Sequence, residues 1–425
     1  MPLLPELLAP AGSLEKLKTA IHYGADAVYL GGKAFGLRAK AVNFDHDELA
    51  QAVAFAHARD VRVFVTVNIM AHNRDLDALP AYLRELAELE VDALIIGDAG
   101  IFRLARQIVP EMKIHISTQA NITNHQSALF WQDQGAGRVN LARELSLAEI
   151  RQVKEALNAK VEVFVHGALC ISYSGRCMLS HYLTGRDANQ GACAHPCRYS
   201  YRLEEEKRPG EYFPVMEDER GVYIFNSKDL CLLNRLPELL AAGVDSVKLE
   251  GRMKGIYYAG GIVRIYRAAL DYIDQQRRDD PTAKIEMPPD FMAEILKLGS
   301  RGYSENFFDG SVDAQNMLYS GPKVTQDYVP VALIGQEGTP VRMEVRHVIR
   351  PGDELEYMGP GLENIPFIVT ELRTLDDSLL EQANPGLTVQ VVADKDIAWQ
   401  QYGLVRRVRP STGSGPTSPL AAEKP

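Results

Sequence analysis

The sequence predicts a (β/α)8 TIM-like barrel with a cysteine-rich insertion, followed by a small C-terminal β-barrel domain. Three observations carry this expectation. From residue 6 to about residue 280, eight short apolar runs alternate with segments of helical periodicity, as in a mostly parallel sheet, and eight is the strand count of a closed barrel. No G-x-G-x-x-G follows the first run, which disfavours a doubly wound open sheet. From about Tyr328 to Arg409 the texture becomes short β-rich runs separated by Gly/Pro turns.

Taken in order, strands are expected at Glu6–Ala9, Ala27–Gly31, Val61–Asn68, Ala93–Gly97, Ile114–Thr118, Arg138–Ala142, Val161–His166 and Ser246–Glu250. Between them lie amphipathic segments such as Ser13–Tyr23, Asp47–Ala58, Leu76–Leu89 and Ala99–Val109. Asp, Ser or Thr often stands near their starts, where a side-chain oxygen satisfies a free backbone N–H. The seventh unit is interrupted by cysteine loops, a charged hairpin-like segment over Tyr199–Phe225 and a helix expected over Asp229–Ala242. Asn226 or Ser227 reads as the cap of that helix, which sets Lys228 against the positive end of its dipole, an odd place unless it faces an anion. Asp290–Leu298 reads as a last helix. The runs VPVALIG, PVRMEVR, DELEYMG, PFIVTEL and LTVQVVA then build the small barrel over 326–409, after a first domain over 1–325. The Pro/Ser/Gly-rich tail over 410–425 is expected to be disordered.

Composition narrows the function. Apolar residues make up 46% of the chain, enough for a large core, and the net charge is −10. That excludes a generally basic nucleic-acid coat, so an RNA contact needs a local patch. Arg342, Arg346, Arg350 and the run Arg406-Arg407-Val408-Arg409 are candidates, unless the small domain only covers one side of the barrel or makes a dimer contact. No run is long enough to span a membrane, and the first residues lack a charged export region, so the expected location is cytoplasmic. Reducing conditions there disfavour disulfides and favour metal ligation.

Four of the five cysteines, Cys170, Cys177, Cys193 and Cys197, fall within one stretch with the spacing C-x6-C-x15-C-x3-C. Four thiolates suit an iron–sulfur cluster or structural zinc, and the tight C-x2-C knuckles of zinc ribbons are absent. Cys231 stands apart in an apolar segment and reads as a small buried hydrophobe.

A barrel places chemistry at the carboxyl ends of its strands. Those positions are Pro10-Ala11-Gly12, Gly31-Gly32, Asn68, Asp98, Gln119, Arg143-Glu144, His166 and Glu250-Gly251-Arg252. Alternation sends Lys248, Glu250 and Arg252 to one face of the eighth strand, either toward a ligand or into an internal salt-bridge layer with Arg143. Arg143 has the forked donors that suit a carboxylate or phosphate. His166 either passes protons or orients the cysteine loop. Arg38, Lys40 and Asn43 add a polar cluster after the second strand. For proteolysis the sequence offers neither H-E-x-x-H nor G-x-S-x-G.

The stretch Glu162–Ser180, E-x-F-x2-G-A-L-C-x3-S-G-x-C-x2-S, resembles the signature of the collagenase-like peptidase family U32. The likeness runs in order from Glu6-Leu-Leu-Ala-Pro-Ala-Gly12 through Tyr29-Leu-Gly-Gly32 to Lys248-Leu-Glu-Gly-Arg252. R-D-x-N-Q-G-x-C at Arg186–Cys193, R-P-G-E-Y at Arg208–Tyr212 and N-S-K-D-L at Asn226–Leu230 resemble its tRNA-hydroxylating branch. The resemblance implies a 4Fe–4S cluster on Cys170, Cys177, Cys193 and Cys197. It also implies prephenate-dependent 5-hydroxylation of the wobble uridine in tRNA. The partners implied are tRNA and a small, prephenate-like anionic substrate, with the electron donor unassigned. Such an anion would meet Arg143, Lys228, Lys248 and Arg252, with His166 and Glu250 nearby. A related hydroxylase acting on ribosomal RNA or a ubiquinone precursor, and a true collagenase-like peptidase, remain as alternatives.

Overall fold

The computed structural model describes residues 4–37, 43–169, 178–196, 203–204, 212–213, 216–218, 221–223, 228–300, 302–310 and 327–408. The expectations for the tail beyond Val408 and for Arg38 and Lys40 lie outside these residues.

The barrel opens with β1 (Glu6–Pro10), α1 (Leu14–His22), β2 (Ala27–Leu30), α2 (His46–His57) and β3 (Arg62–Val67). It continues with α3 (Asn73–Leu76), α4 (Leu79–Glu88), β4 (Ala93–Ile96), α5 (Ala99–Ile108), β5 (Ile114–Ile116) and α6 (His125–Asp133). Then come β6 (Arg138–Asn140), α7 (Leu147–Ala156) and β7 (Lys160–Gly167). Side-chain caps start several helices: Ser13 for α1, Asp98 for α5, Asn124 for α6, and reciprocal capping boxes at Asp45/Glu48 and Ser146/Glu149.

After β7 come α8 (Leu179–Thr184) and two small antiparallel pairs, β8 (Leu203–Glu204) with β9 (Tyr212–Phe213) and β10 (Met216–Asp218) with β11 (Gly221–Tyr223). Those pairs match the expected hairpin-like segment. The helix expected over Asp229–Ala242 is corrected: the chain first forms β12 (Asp229–Cys231), then a 3-10 turn, then α9 (Leu236–Ala241). Tertiary pairing overrides helical periodicity here, because β12 lies antiparallel to the overhanging end of β7 and parallel to β14 (Tyr303–Ser304). Pro237, in the first turn of α9, suits a helix start better than a helix interior. Cys231 is buried as expected, but in a strand.

The eighth barrel strand is β13 (Ser246–Leu249), followed by α10 (Ile256–Asp279) and α11 (Pro289–Lys297). Parallel pairing runs from β13 to β1 and on through β7, and β7 closes on β13. Leu8, Ala27, Tyr29, Phe64, Ala93 and Ile95 fill the inside of the barrel. Their alternates, such as Leu7, Val28 and Leu94, pack outward beneath the helices.

Strands β15 (Tyr328–Gln336), β16 (Val341–Val345), β17 (Glu354–Met358), β18 (Asn364–Arg373), β19 (Thr388–Ala393) and β20 (Leu404–Val408) close a second, antiparallel barrel in the order β15-β16-β19-β18-β17-β20. It has its own core, including Met343, Phe367, Val389 and Trp399, while Leu333, Met358 and Leu404 join the core of the large barrel.

The seam between the barrels is buried and polar. The Tyr23 hydroxyl donates to the Met358 carbonyl at 2.5 Å and accepts from the Leu404 N–H at 2.8 Å. Arg264, fully buried on α10, donates to the carbonyls of Gly359 (2.6 Å) and Glu363 (2.8 Å). Arg406, also fully buried, is gripped by Glu294 at 3.0 Å and Glu356 at 2.5 Å. This corrects the expectation that Arg406 reads RNA phosphate: it fastens one barrel to the other. Arg407 pairs with Asp353, Arg346 with Glu15 and Glu344, Arg342 donates to Gln336 and Arg350 to Gln382. Arg409 lies outside the described residues.

Arg406→Leu takes one cation from Glu294, which keeps Lys297 and Arg264, and removes the Arg406 partner of the partly solvated Glu356. The expected cost is about 2–3 kcal/mol, below the usual range for breaking a buried pair, and urea denaturation measures it. A loss within 0.5 kcal/mol, on the order of a surface substitution, would remove the fastening role.

Candidate functional site

The strand ends of the large barrel surround a small inner pocket of about 50 Å³, lined by residues that include Thr66, Asn68, Ser117, Gln119, Arg143 and Arg252. That volume admits a carboxylate-sized group rather than a whole metabolite. Arg252, only 4% exposed, donates from Nη1 to Thr66 Oγ1 at 2.9 Å and from Nη2 to Asn43 Oδ1 at 3.1 Å. Gly31 makes room for it, since a Cβ there would stand 2.6 Å from Arg252 Nη2. Arg143 donates to the Ala168 carbonyl at 2.8 Å and lies over the Phe164 ring, 4.1 Å from its centroid. Glu250 accepts from the Tyr29 hydroxyl at 3.0 Å. Arg143, Glu250 and Arg252 are thus brought to one pocket.

Lys248 also reaches that pocket but belongs chiefly to the layer beneath it. Its Nζ donates to Glu162 Oε1 at 2.9 Å and stands 4.5 Å from the Tyr29 ring centroid. Arg138 donates from Nη1 to Glu162 Oε2 at 2.9 Å and pairs with Glu6 at 2.5 Å. Asn140 and Ser246 complete the set. The internal salt-bridge layer therefore exists, with Arg138 in the place the sequence offered to Arg143. Burial alone would raise the Glu162 carboxyl, but Lys248 and then Arg138 outweigh it and hold the group down at about 2.

His166 does not reach the pocket. Lys248 pairs with Phe164 and Leu249 with His166, leaving Val165 as an extra residue on β7. That bulge re-aims the next side chain. The imidazole turns outward among Tyr258, Tyr266 and Tyr303, at ring distances of 6.0, 5.4 and 5.3 Å. The Tyr266 hydroxyl donates to the Val165 carbonyl at 2.9 Å, so it accepts from His166 Nδ1 at 3.3 Å. Burial pushes the His166 pKa down to about 4, with a small opposing pull from Asp229, and the ring is neutral at pH 7. Its position suits holding the end of β7 in place. Lys228 is likewise elsewhere, with its stem along Gly302, the residue whose carbonyl accepts from the Asp229 N–H at 2.9 Å.

Above the inner pocket lies an outer cavity of about 500 Å³, whose lining includes Cys193, His195, Arg186, Lys254 and, in common with the inner pocket, Leu37 and Glu250. Cys193 is partly exposed, and its sulfur accepts the His195 backbone N–H at 3.4 Å. A solvent-reachable sulfur on the wall of a roomy cavity fits a ligand to a cluster. Cys170, Cys177 and Cys197 lie outside the described residues.

Tyr29, Thr66, Ser117 and Asn140 were missed as pocket residues. Thr66 and Asn68 did leave a signal, as two polar residues at alternate positions at the end of an apolar strand. Asp98 was singled out, but its side chain caps α5.

The model of peptidase family U32 matches residues 12–318, and that of the U32 C-terminal domain matches residues 325–406. The chain is 38% identical over 397 residues to "tRNA hydroxylation protein P1" of Bacillus subtilis, covering 92% of this chain and 93% of that one. It is 35% identical over 457 residues to "tRNA hydroxylation protein P" of Escherichia coli, covering 97% and 99%. It is also 38% identical over 339 residues to the "23S rRNA 5-hydroxycytidine C2501 synthase" of Escherichia coli, covering 77% of this chain and 50% of that one.

Proposed function

The chain belongs to peptidase family U32, and from that premise we propose that it is an RNA hydroxylase acting on tRNA. More finely, it installs the 5-hydroxyl of the wobble uridine with a 4Fe–4S cluster and a small organic acid such as prephenate, in the cytoplasm. Relatives named for tRNA hydroxylation align over nearly the whole chain. The observation that carries the reading is the junction of the two chambers. A cavity bearing Cys193 meets a cation-lined pocket at Leu37 and Glu250.

Cys170, Cys177, Cys193 and Cys197 would hold the cluster, which when bound supplies electron transfer or an iron site for a substrate oxygen. The inner pocket takes the carboxylate of the acid, with Arg252 and Arg143 as forked donors. Asn43 and Thr66 hold Arg252 in place, so little ordering remains to be done on binding. Glu250, between the two chambers and hydrogen-bonded to Tyr29, is placed to take or return a proton. The base of the RNA enters from the outer cavity.

The test is mass spectrometry of tRNA nucleosides from cells with and without the gene. Loss of 5-hydroxyuridine derivatives is expected; an unchanged profile would falsify the reading, and a change confined to ribosomal RNA would move it to that substrate. Arg252→Ala should fail to restore the modification while keeping fold and colour. Gly31→Ala should lower activity at least about tenfold by displacing that guanidinium, since small misplacements at a site are costly. If both variants modify normally, the inner pocket is structural.

A further inference from the structure

The R-D-x-N-Q-G-x-C motif has a physical explanation. Arg186 folds back and donates to the carbonyls of Ala192 (3.1 Å) and Cys193 (3.2 Å). Asp187 accepts from the Asn189 N–H at 2.8 Å and starts a 3-10 turn over Ala188–Gln190. Gly191 ends the turn at φ 83°, a left-handed conformation that glycine adopts without strain. Ala192 N–H returns to the Asp187 carbonyl at 2.9 Å. The segment is thus a closed ring with Cys193 at its exit.

This ring is tied to the barrel at Met70, just beyond β3. The Met70 N–H donates to the Asn189 carbonyl at 3.1 Å, and the Gln190 side-chain amide donates to the Met70 carbonyl. Two residues earlier, Asn68 lines the inner pocket, accepts from the Leu37 N–H at 3.2 Å and donates to Ser117 at 3.4 Å. Leu37 in turn lines both chambers.

We propose that Gln190 is a positioning residue: with Asn189 it hangs the cysteine loop on both backbone groups of Met70 and so sets where the Cys193 sulfur stands over the barrel mouth. Its importance for catalysis rests on the function proposed above; the mechanical link does not. Gln190 acts as a donor here, so a glutamate of the same shape cannot replace it, because a carboxylate repels the Met70 carbonyl.

The experiment compares wild type, Gln190→Ala and Gln190→Glu by hydrogen exchange on the full-length protein as purified, with cluster content, the electron paramagnetic resonance spectrum and modification kinetics measured alongside. In both variants Met70 amide exchange should speed up about tenfold or more, the signature of local opening. The cluster should remain but with an altered resonance spectrum. kcat should fall about tenfold with KM for tRNA unchanged, as expected of misplacement rather than lost binding. Wild-type protection of Met70 in both variants, or a Gln190→Glu that behaves as wild type, would overturn the proposal. A wild type without cluster or tRNA modification would instead overturn the proposed function, and the exchange result would still decide the link.

Discussion

Cys193→Ala is expected to abolish the brown colour of anaerobically purified protein and to reduce tRNA modification at least about a hundredfold, since a lost metal ligand costs more than the tenfold to hundredfold seen for outer partners. Cys170→Ala, Cys177→Ala and Cys197→Ala should do the same if, as proposed, the cluster takes all four thiolates as one set. Cys231→Ala is the control. Burial pushes that thiol up to about 11, and its sulfur stands 3.9 Å from the Tyr266 hydroxyl and 4.0 Å from Met292 Sδ, away from the described cavity. It should keep colour and activity. A colourless wild type with stoichiometric zinc would dispose of the iron–sulfur reading while leaving the four-cysteine set intact.

The largest effect on stability is expected at Glu162. This carboxylate is 2% exposed and accepts from Arg138, Asn140 and Lys248, each at 2.9 Å. Glu162→Gln keeps the shape but leaves Lys248 buried without its counter-charge, at an expected cost of about 3–5 kcal/mol. Removing the cation as well, in Glu162→Gln/Lys248→Met, should recover much of that loss. The same group sets an acid limit. Its folded pKa lies below its ordinary 4.5, at about 2, so its stabilisation is fully present above pH 4.5 and fades as pH falls toward 2. Urea denaturation at pH 7 and pH 3 measures both effects. A single variant within 1 kcal/mol of wild type, on the order of an average substitution, would show that the layer is solvated in practice.

Much of the fold was legible because a parallel strand buried on both faces is a short apolar run, and eight such runs are hard to read otherwise. Chain order also revealed Arg143, Glu250 and Arg252, which stand at strand ends where a barrel exposes its site. What sequence could not show depends on register. The extra residue at Val165 turns His166 from lumen to helix layer, and no local pattern marks it. The edge pairing of β12 with β7 likewise needs a strand more than sixty residues away, so Asp229–Cys231 looked helical and Lys228 looked like an anion ligand. Arg406 looked like RNA-binding charge because its partners Glu294 and Glu356 are distant in sequence.

The seam between the two barrels also bears on synthesis. The groups that satisfy Tyr23, Arg264 and Glu294 come from Met358, Gly359, Glu363, Leu404 and Arg406. Two of those five belong to β20, which leaves the ribosome long after α10 and α11. Until then, the large barrel holds an arginine and a glutamate on α10 and α11 that are destined for burial but still wet. Domains generally fold as they emerge, so the first barrel can close early, but its helical flank is completed only once β20 has been made. A nascent chain stalled before Leu404 is therefore a folded barrel with one unfinished side, and that side is where a chaperone would find it.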